Sequence, residues 1–182
     1  LSHQIESEAE LPERDFTRFR ALAARANYLA ADRIDVLYAA KEVCRFMSKP
    51  TDLAMGALKR LARYLRARPR MVFDFEYQSA EGLEAYTDTD WAGCARTRKS
   101  TSGGCLMVGK HLIKAWSATQ ASIALSSGEA EYYGVVRGAG IALGMQALYK
   151  DIGLGLPIRV WTDSSAAIGI GGRQGLGKLR HL

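Results

Sequence analysis

Cysteine is scarce in this 182-residue chain: Cys44, Cys94 and Cys105 are too few and too scattered for the disulfide framework of a small secreted domain. With His111 they also lack zinc-ligand spacing, so buried or idle thiols in a reducing compartment are expected. Long apolar runs are missing too. No segment approaches the ~18 residues of a membrane span, and the most apolar stretch, 134–149, is interrupted by Arg137; no membrane is expected among the partners. There is no internal repeat. A composition of 48% hydrophobic and 24% charged residues excludes a largely disordered chain. The Leu1-Ser2-His3 start has neither an initiator Met nor a basic-then-apolar leader, so an intracellular piece of a longer protein is expected.

Positive charge is present in excess. The net +6 is shared evenly, +3 in residues 1–76 and +3 in 77–182. Lys59, Arg60, Arg63, Arg66, Arg68 and Arg70 form a run without a single acid. Such a run suits a polyanion such as nucleic acid; the plainer reading is a solvated helix face.

Two textures divide the sequence. Residues 1–76 read as helical: 16–31 and 35–47 are rich in helix formers. After Ser48-Lys49-Pro50, Thr51 is a suitable N-cap for a third helix, ended by Pro69. In it Ala54, Ala57, Leu58, Leu61, Ala62 and Leu65 form one apolar stripe. From Met71 the period changes: Met71, Phe73, Phe75 and Tyr77 alternate as in a strand. Residues 78–82 read as a turn, 83–88 as a strand, and 103–109 with 112–116 as a hairpin turned at Gly109-Lys110. Ser126 and Glu129 match a capping box opening a helix to about Lys150, stopped by Gly153 and Gly155. A strand over 158–163 and a short helix from Ser164 complete an α/β pattern.

Three acids stand at the ends of these elements. Tyr86-Thr87-Asp88 and Trp161-Thr162-Asp163 repeat one pattern, aromatic-Thr-Asp, each at a strand's carboxyl end. The long helix should cross back over the sheet and set 158–163 parallel to, and beside, 83–88. Ligands of α/β sheets bind outside such carboxyl ends, where the winding reverses. Two carboxylates converging there repel each other unless a proton or cation intervenes, and oxygen ligands suit hard ions, Mg²⁺ above all. The crossing helix offers Glu129 and Glu131, which lie roughly 200° apart around it. Glu129 belongs to the capping box. Glu131 shares a face with Val135, Gly138 and Ala142, small enough to lie close on a sheet, and is the third acid.

The segments Tyr86–Gly93, Arg98–Gly103, Ala124–Tyr132 and Thr162-Asp163, in that order, closely resemble the ribonuclease H domain of copia-type retrotransposon polyproteins. Tyr28-Leu29-Ala30, Phe46–Thr51 and Leu58–Leu65 resemble the end of the reverse transcriptase that precedes it. The family's acids fall on Asp88, Glu131 and Asp163. The resemblance implies a helical reverse-transcriptase end or connection over 1–76 and a ribonuclease H-like domain over 77–182. The fold implied is a mixed sheet, three antiparallel strands and then a parallel strand across a helix. It also implies cleavage of the RNA strand of an RNA–DNA hybrid with two Mg²⁺, or Mn²⁺ in their place, Asp88 bridging the ions and Glu131 and Asp163 completing one site each. Ser126 and Ser127 at a helix N-terminus suit phosphate or sugar contacts, Arg96, Arg98 and Lys99 suit the phosphate backbone, and the 2′-hydroxyl marks the strand to be cut. The upstream reverse transcriptase is the implied partner, and a retroelement particle, cytoplasmic or nuclear, the implied location.

The chain departs from that family twice. A further strand, a helix and a fourth acid downstream are lacking, and no Tyr-x-Asp-Asp occurs, so a fragment spanning a junction is expected. Two other classes share the sheet: a non-catalytic connection module that binds nucleic acid, and an integrase-type polynucleotidyl transferase, whose acids run strand, strand, helix rather than strand, helix, strand. Asp90 reads as a turn acceptor, Trp91, Trp116 and Trp161 as core, and His111 as exposed at its hairpin turn. His181 resembles a family histidine without an assigned role. Gly172–Lys178 fits G-x-x-x-x-G-K, but Leu179 replaces the Ser or Thr and no strand precedes it, so a loop is expected. Gly138, Gly140 and Gly144 follow no strand, which argues against a dinucleotide fingerprint.

Overall fold

A computed structural model describes residues 9–173 except Ala80 and Ala95. The chain forms two compact units, Leu1–Asp74 and Phe75–Leu182.

In the first unit, α1 (Glu13–Leu29) follows Pro12, whose φ of −56° already suits helix entry. The second helical stretch is shorter than its composition suggests. Ile34–Val36 tightens into a 3₁₀ turn, and α2 covers only Leu37–Cys44. The turn is pinned by a local network: Arg33 grips Asp35 with two bonds of 3.0 and 2.7 Å and donates to the Arg68 carbonyl at 2.8 Å, while the Tyr64 hydroxyl donates to Asp35 at 2.8 Å. α3 (Asp52–Ala67) starts at Thr51, whose hydroxyl accepts the Ala54 N–H at 3.2 Å. Ala54, Leu58 and Leu61 bury the stripe against Phe19, Ala23, Ala40 and Val43. All six basic residues of the acid-free run are exposed.

The second unit is a four-stranded sheet of order β3-β2-β1-β4, built from β1 (Leu83–Asp90), β2 (Thr101–Val108), β3 (His111–Thr119) and β4 (Ile158–Trp161). β1–β2 and β2–β3 are antiparallel, and β4 is parallel to β1. This α/β arrangement is consistent with the ribonuclease H-like expectation. The hairpin turns at Gly109, whose φ of +55° favours glycine. α4 (Ser127–Asp151) crosses the sheet and closes at Gly153, φ +87°. A short α5 (Ser165–Gly171) follows β4 and packs on the first turn of α4 through Ala166 against Gly128.

One expected strand does not form. Residues 71–77 belong to no strand, and Val72, Phe75 and Tyr77 are exposed. Period-two alternation is present, but the segment is not among the strands of the sheet, and a lone strand has no ladder to stabilise it. Side chains dock the segment instead: Gln78 Nε2 donates to the Val108 carbonyl at 2.7 Å, and Gln78 Oε1 accepts from the Lys110 N–H at 3.0 Å. Phe75 meets His111 edge-on at 5.0 Å, so His111 is half-buried rather than exposed.

The inner face of the sheet changes character along its length. Leu83, Ala85, Leu106 and Val108 pack with Trp116, Ala142 and Leu156 into an apolar core. Toward the carboxyl end of β1 the buried residues are polar: Thr87, Thr89, Ser102 and Gln120. Trp116 is core as expected, but Trp91 and Trp161 are 46% and 48% exposed. Trp161 stacks on Tyr86 with ring centres 6.3 Å apart. Both belong to outward positions of paired strands, which the aromatic-Thr-Asp repeat imposes once Thr87 faces inward.

Candidate metal centre

The parallel register sets two acids side by side. Tyr86 pairs with Trp161, and Asp88 and Asp163 each stand two residues further on. The Thr87 hydroxyl donates to the Trp161 carbonyl at 3.1 Å, extending the tie past the last registered pair. Thr162 then turns the chain by accepting the Ser164 N–H at 3.2 Å, and Ser164 caps α5. The repeated tripeptide thus places two carboxylates at adjoining strand ends.

The third acid arrives on α4, which lies very close to the sheet. A Cβ on Gly134 would meet Thr89 Oγ1 at 2.5 Å, and one on Gly138 would collide with the Thr87 methyl group. Glycine at both positions lets the backbone approach to that depth. Glu131 sits one turn before Gly134, at the carboxyl end of β1. One carboxylate oxygen from each of Asp88, Glu131 and Asp163 lies within 4.8 Å of the others. Asp88 and Asp163 are exposed and Glu131 is half-buried.

Such a cluster is in electrostatic conflict. The Glu131 carboxyl is pushed up to about 7, first by burial and then by the negative Asp88 and Asp163. The Thr89 N–H, which donates to Asp88 Oδ1 at 2.8 Å, offsets part of that rise. Glu131 Oε2 is buried without a hydrogen-bond partner. A half-neutral carboxyl beside two exposed ones, with an orphaned oxygen, fits a cation as the missing partner. The donor set is all oxygen, which selects hard divalent ions over zinc or copper.

Glu129 stands apart from this cluster. It is 1% exposed, and its N–H donates to Ser126 Oγ at 3.2 Å as a cap requires. Its carboxylate Oε2 accepts from the Leu125 N–H at 2.8 Å, which ties the side chain back to the backbone just before the cap. Asp90 lies over Gly93 within the turn after β1.

The basic and hydroxyl residues occupy the neighbouring loops. Arg96 and Arg98 are exposed and Lys99 half-buried in the β1–β2 connection, where Arg98 has φ +53°. That conformation is fixed by the Arg98 N–H donating to the Cys94 carbonyl at 2.7 Å and by the Cys94 N–H donating to the Lys99 carbonyl at 3.2 Å. Ser126 and Ser127 are exposed at the start of α4. The cysteines form no disulfide, Cys94 being buried and Cys44 and Cys105 half-buried. His181 and most of Gly172–Lys178 lie outside the described residues. No helix among the described residues is long and apolar enough to cross a membrane. Sequence reasoning missed Gln120, a buried amide between β3 and α4. Its only signal is a polar residue directly after a strand, which reads as loop.

No family model matches the chain, and no solved structure matches it. It is 33% identical over 155 residues, 84% of its length, to the retrovirus-related Pol polyprotein from transposon RE1 of Arabidopsis thaliana. It is 33% identical over 165 residues, 90% of its length, to that from transposon RE2 of the same plant. An uncharacterized mitochondrial protein of Arabidopsis thaliana is 37% identical over 119 residues, 65% of this chain and 49% of that protein. The chain spans 11% of the length of each of the RE1 and RE2 polyproteins. By this likeness, and by the motifs that cluster its acids, the chain is a homologue of one segment of the retrovirus-related Pol polyproteins of plant transposons.

Proposed function

We propose that the second unit is a ribonuclease H-type endonuclease that hydrolyses the RNA strand of RNA–DNA hybrids during retrotransposon reverse transcription. The observation that carries the reading is the convergence of Asp88, Glu131 and Asp163 within 4.8 Å at adjoining strand ends. Those three residues would hold divalent ions, Mg²⁺ or Mn²⁺, through carboxylate oxygens, and the hydrogen-bond-free Glu131 Oε2 is available for that purpose. Bound there, divalent ions supply a water of lowered pKa and neutralise charge on the leaving oxygen.

The chain's own residues do the rest. The Thr89 N–H donates to Asp88 Oδ1 and so limits the rotation of that carboxylate. Arg96, Arg98 and Lys99 offer cations to the phosphate backbone. Ser126 and Ser127 offer hydroxyls, and the start of α4 offers backbone N–H groups, to phosphate or sugar. Cleaving RNA and sparing DNA requires contact with the 2′-hydroxyl. The exposed basic face of α3 in the first unit by itself suits a polyanion, and the expected neighbour is the reverse transcriptase of the same polyprotein.

The test is a cleavage assay with end-labelled RNA in an RNA–DNA hybrid, against duplex DNA, with Mg²⁺ and with chelator. The expected result is Mg²⁺-dependent cutting of hybrid RNA alone. Asp88→Asn should lower the rate by about 100-fold or more, since even groups behind metal ligands contribute 10–100-fold. A chain that binds hybrid but leaves it intact under all conditions is a connection module instead.

A further inference from the structure

We propose that Gln120 is a positioning residue: its buried amide clamps the first turn of α4 to the sheet and so sets where Glu131 enters the acidic pocket. The inference rests on the divalent-cation reading of that pocket and deepens it.

Gln120 directly follows β3 and is 9% exposed. Its backbone N–H donates to the Ser100 carbonyl at 2.8 Å, fixing the residue to the start of β2. Its side-chain Nε2 donates to Ser102 Oγ at 2.9 Å and to the Ala130 carbonyl at 2.8 Å. The nitrogen must be the end that faces α4, because a backbone carbonyl can only accept. One amide therefore joins β2 to the peptide unit immediately before Glu131.

The neighbours show why such a clamp matters. Thr89 and Ser102 are cross-strand partners, both buried, and Ser102 is the one that Gln120 bonds. Gly134 rests on Thr89 Oγ1, and with Gly138 it sets how deep α4 sits. Glycine contacts limit the approach of a helix but do not stop it sliding or rotating, since they have no direction. A hydrogen bond does. Glu131 Oε2 is itself without a hydrogen-bond partner, so nothing ties that oxygen to the helix or the sheet. Gln120 Oε1 is also buried with no partner among the described residues. An apolar residue would fill this space without that penalty but could make neither of the bonds that the nitrogen makes.

The experiment uses the 182-residue chain with Gln120→Met, which keeps the volume and removes both side-chain bonds. Two readouts are taken: Mn²⁺ affinity from paramagnetic broadening at residues 88, 131 and 163, and amide exchange along α4. The expected result is Mn²⁺ affinity about tenfold weaker, with faster exchange at 131–134 and unchanged exchange at 141–149. A merely structural role would speed exchange along the whole helix, and that result overturns the proposal. So does wild-type affinity with wild-type exchange. If Gln120→Met does not fold, Ser102→Ala, which removes only the sheet anchor, must show a smaller change in the same direction; wild-type behaviour there overturns the proposal. A wild-type chain that binds no Mn²⁺ defeats the nuclease reading instead, and the exchange comparison alone then decides Gln120.

Discussion

Each unit has a long helix that covers its core, α3 in the first and α4 in the second, and these two pack by different chemistry. α3 covers its core with side chains: Ala54, Leu58 and Leu61 are buried in a stripe, and its basic residues face away. α4 covers its sheet with the near-absence of side chains, since Gly134, Gly138 and Ala142 are the buried positions of its middle. The contrast follows from what each helix must do. A side-chain stripe buries apolar area and tolerates small shifts of the backbone. A glycine stripe brings the helix backbone down to the strands, so that Glu131 reaches acids at the ends of β1 and β4.

Substitutions can break this comparison in graded steps. The largest stability loss is expected at Leu61, 6% exposed in α3, where alanine leaves a cavity and costs about 2–5 kcal/mol. Gly138→Ala fills no cavity but forces its methyl group into that of Thr87, and an overpacking loss of about 1–3 kcal/mol is expected in the second unit. Gly140 and Gly144 lie on the same helix with nothing within 4 Å of an added Cβ. Alanine at either is expected to stabilise by about 0.5–1 kcal/mol, because open space leaves only glycine's entropic cost. Urea unfolding separates these effects by unit. All three tryptophans lie in the second unit, so their fluorescence reports it, while helical circular dichroism adds the first. Equal losses at positions 138 and 140 would contradict the glycine-contact account.

The two units should also answer pH in opposite directions. Asp35 is held below the usual carboxylate range, first by the hydrogen bonds from Arg33. Its contribution is present above the unfolded carboxylate value and is lost as pH falls through the depressed value. Glu131 is raised to about 7, so without divalent ions it favours the folded state below the ordinary carboxylate range, and that favour is lost as pH rises toward 7. Urea midpoints of the metal-free second unit should therefore fall between about pH 5 and pH 8. Glu131→Gln should flatten that slope. An unchanged slope would assign the effect to other groups.

Much of this arrangement was legible in the sequence because it repeats or alternates. The aromatic-Thr-Asp repeat marks two equivalent strand ends, and the parallel register turns that repeat into adjacency. The 200° separation of Glu129 and Glu131 divides cap from pocket, and the structure keeps that division. The strand expected over 71–77 failed because alternation is a local property while a ladder needs a partner. Trp91 and Trp161 are exposed although large aromatics usually go inside. At Trp161, strand alternation outweighs bulk, because Thr87 and Asp88 fix which face its pair Tyr86 occupies. Gln120 was invisible for a further reason: its value lies in Ser102 and Ala130, partners 18 and 10 residues away.

The account stands on three carboxylates behaving as a single divalent-cation site. The direct measurement is a calorimetric Mg²⁺ titration of the wild-type chain beside Asp88→Asn, Glu131→Gln and Asp163→Asn, with each variant's fold checked by circular dichroism. Saturable binding in the wild type, absent or greatly weakened in every folded single variant, is the predicted result. Undiminished binding in all three variants, or no binding by a folded wild-type chain, would contradict it.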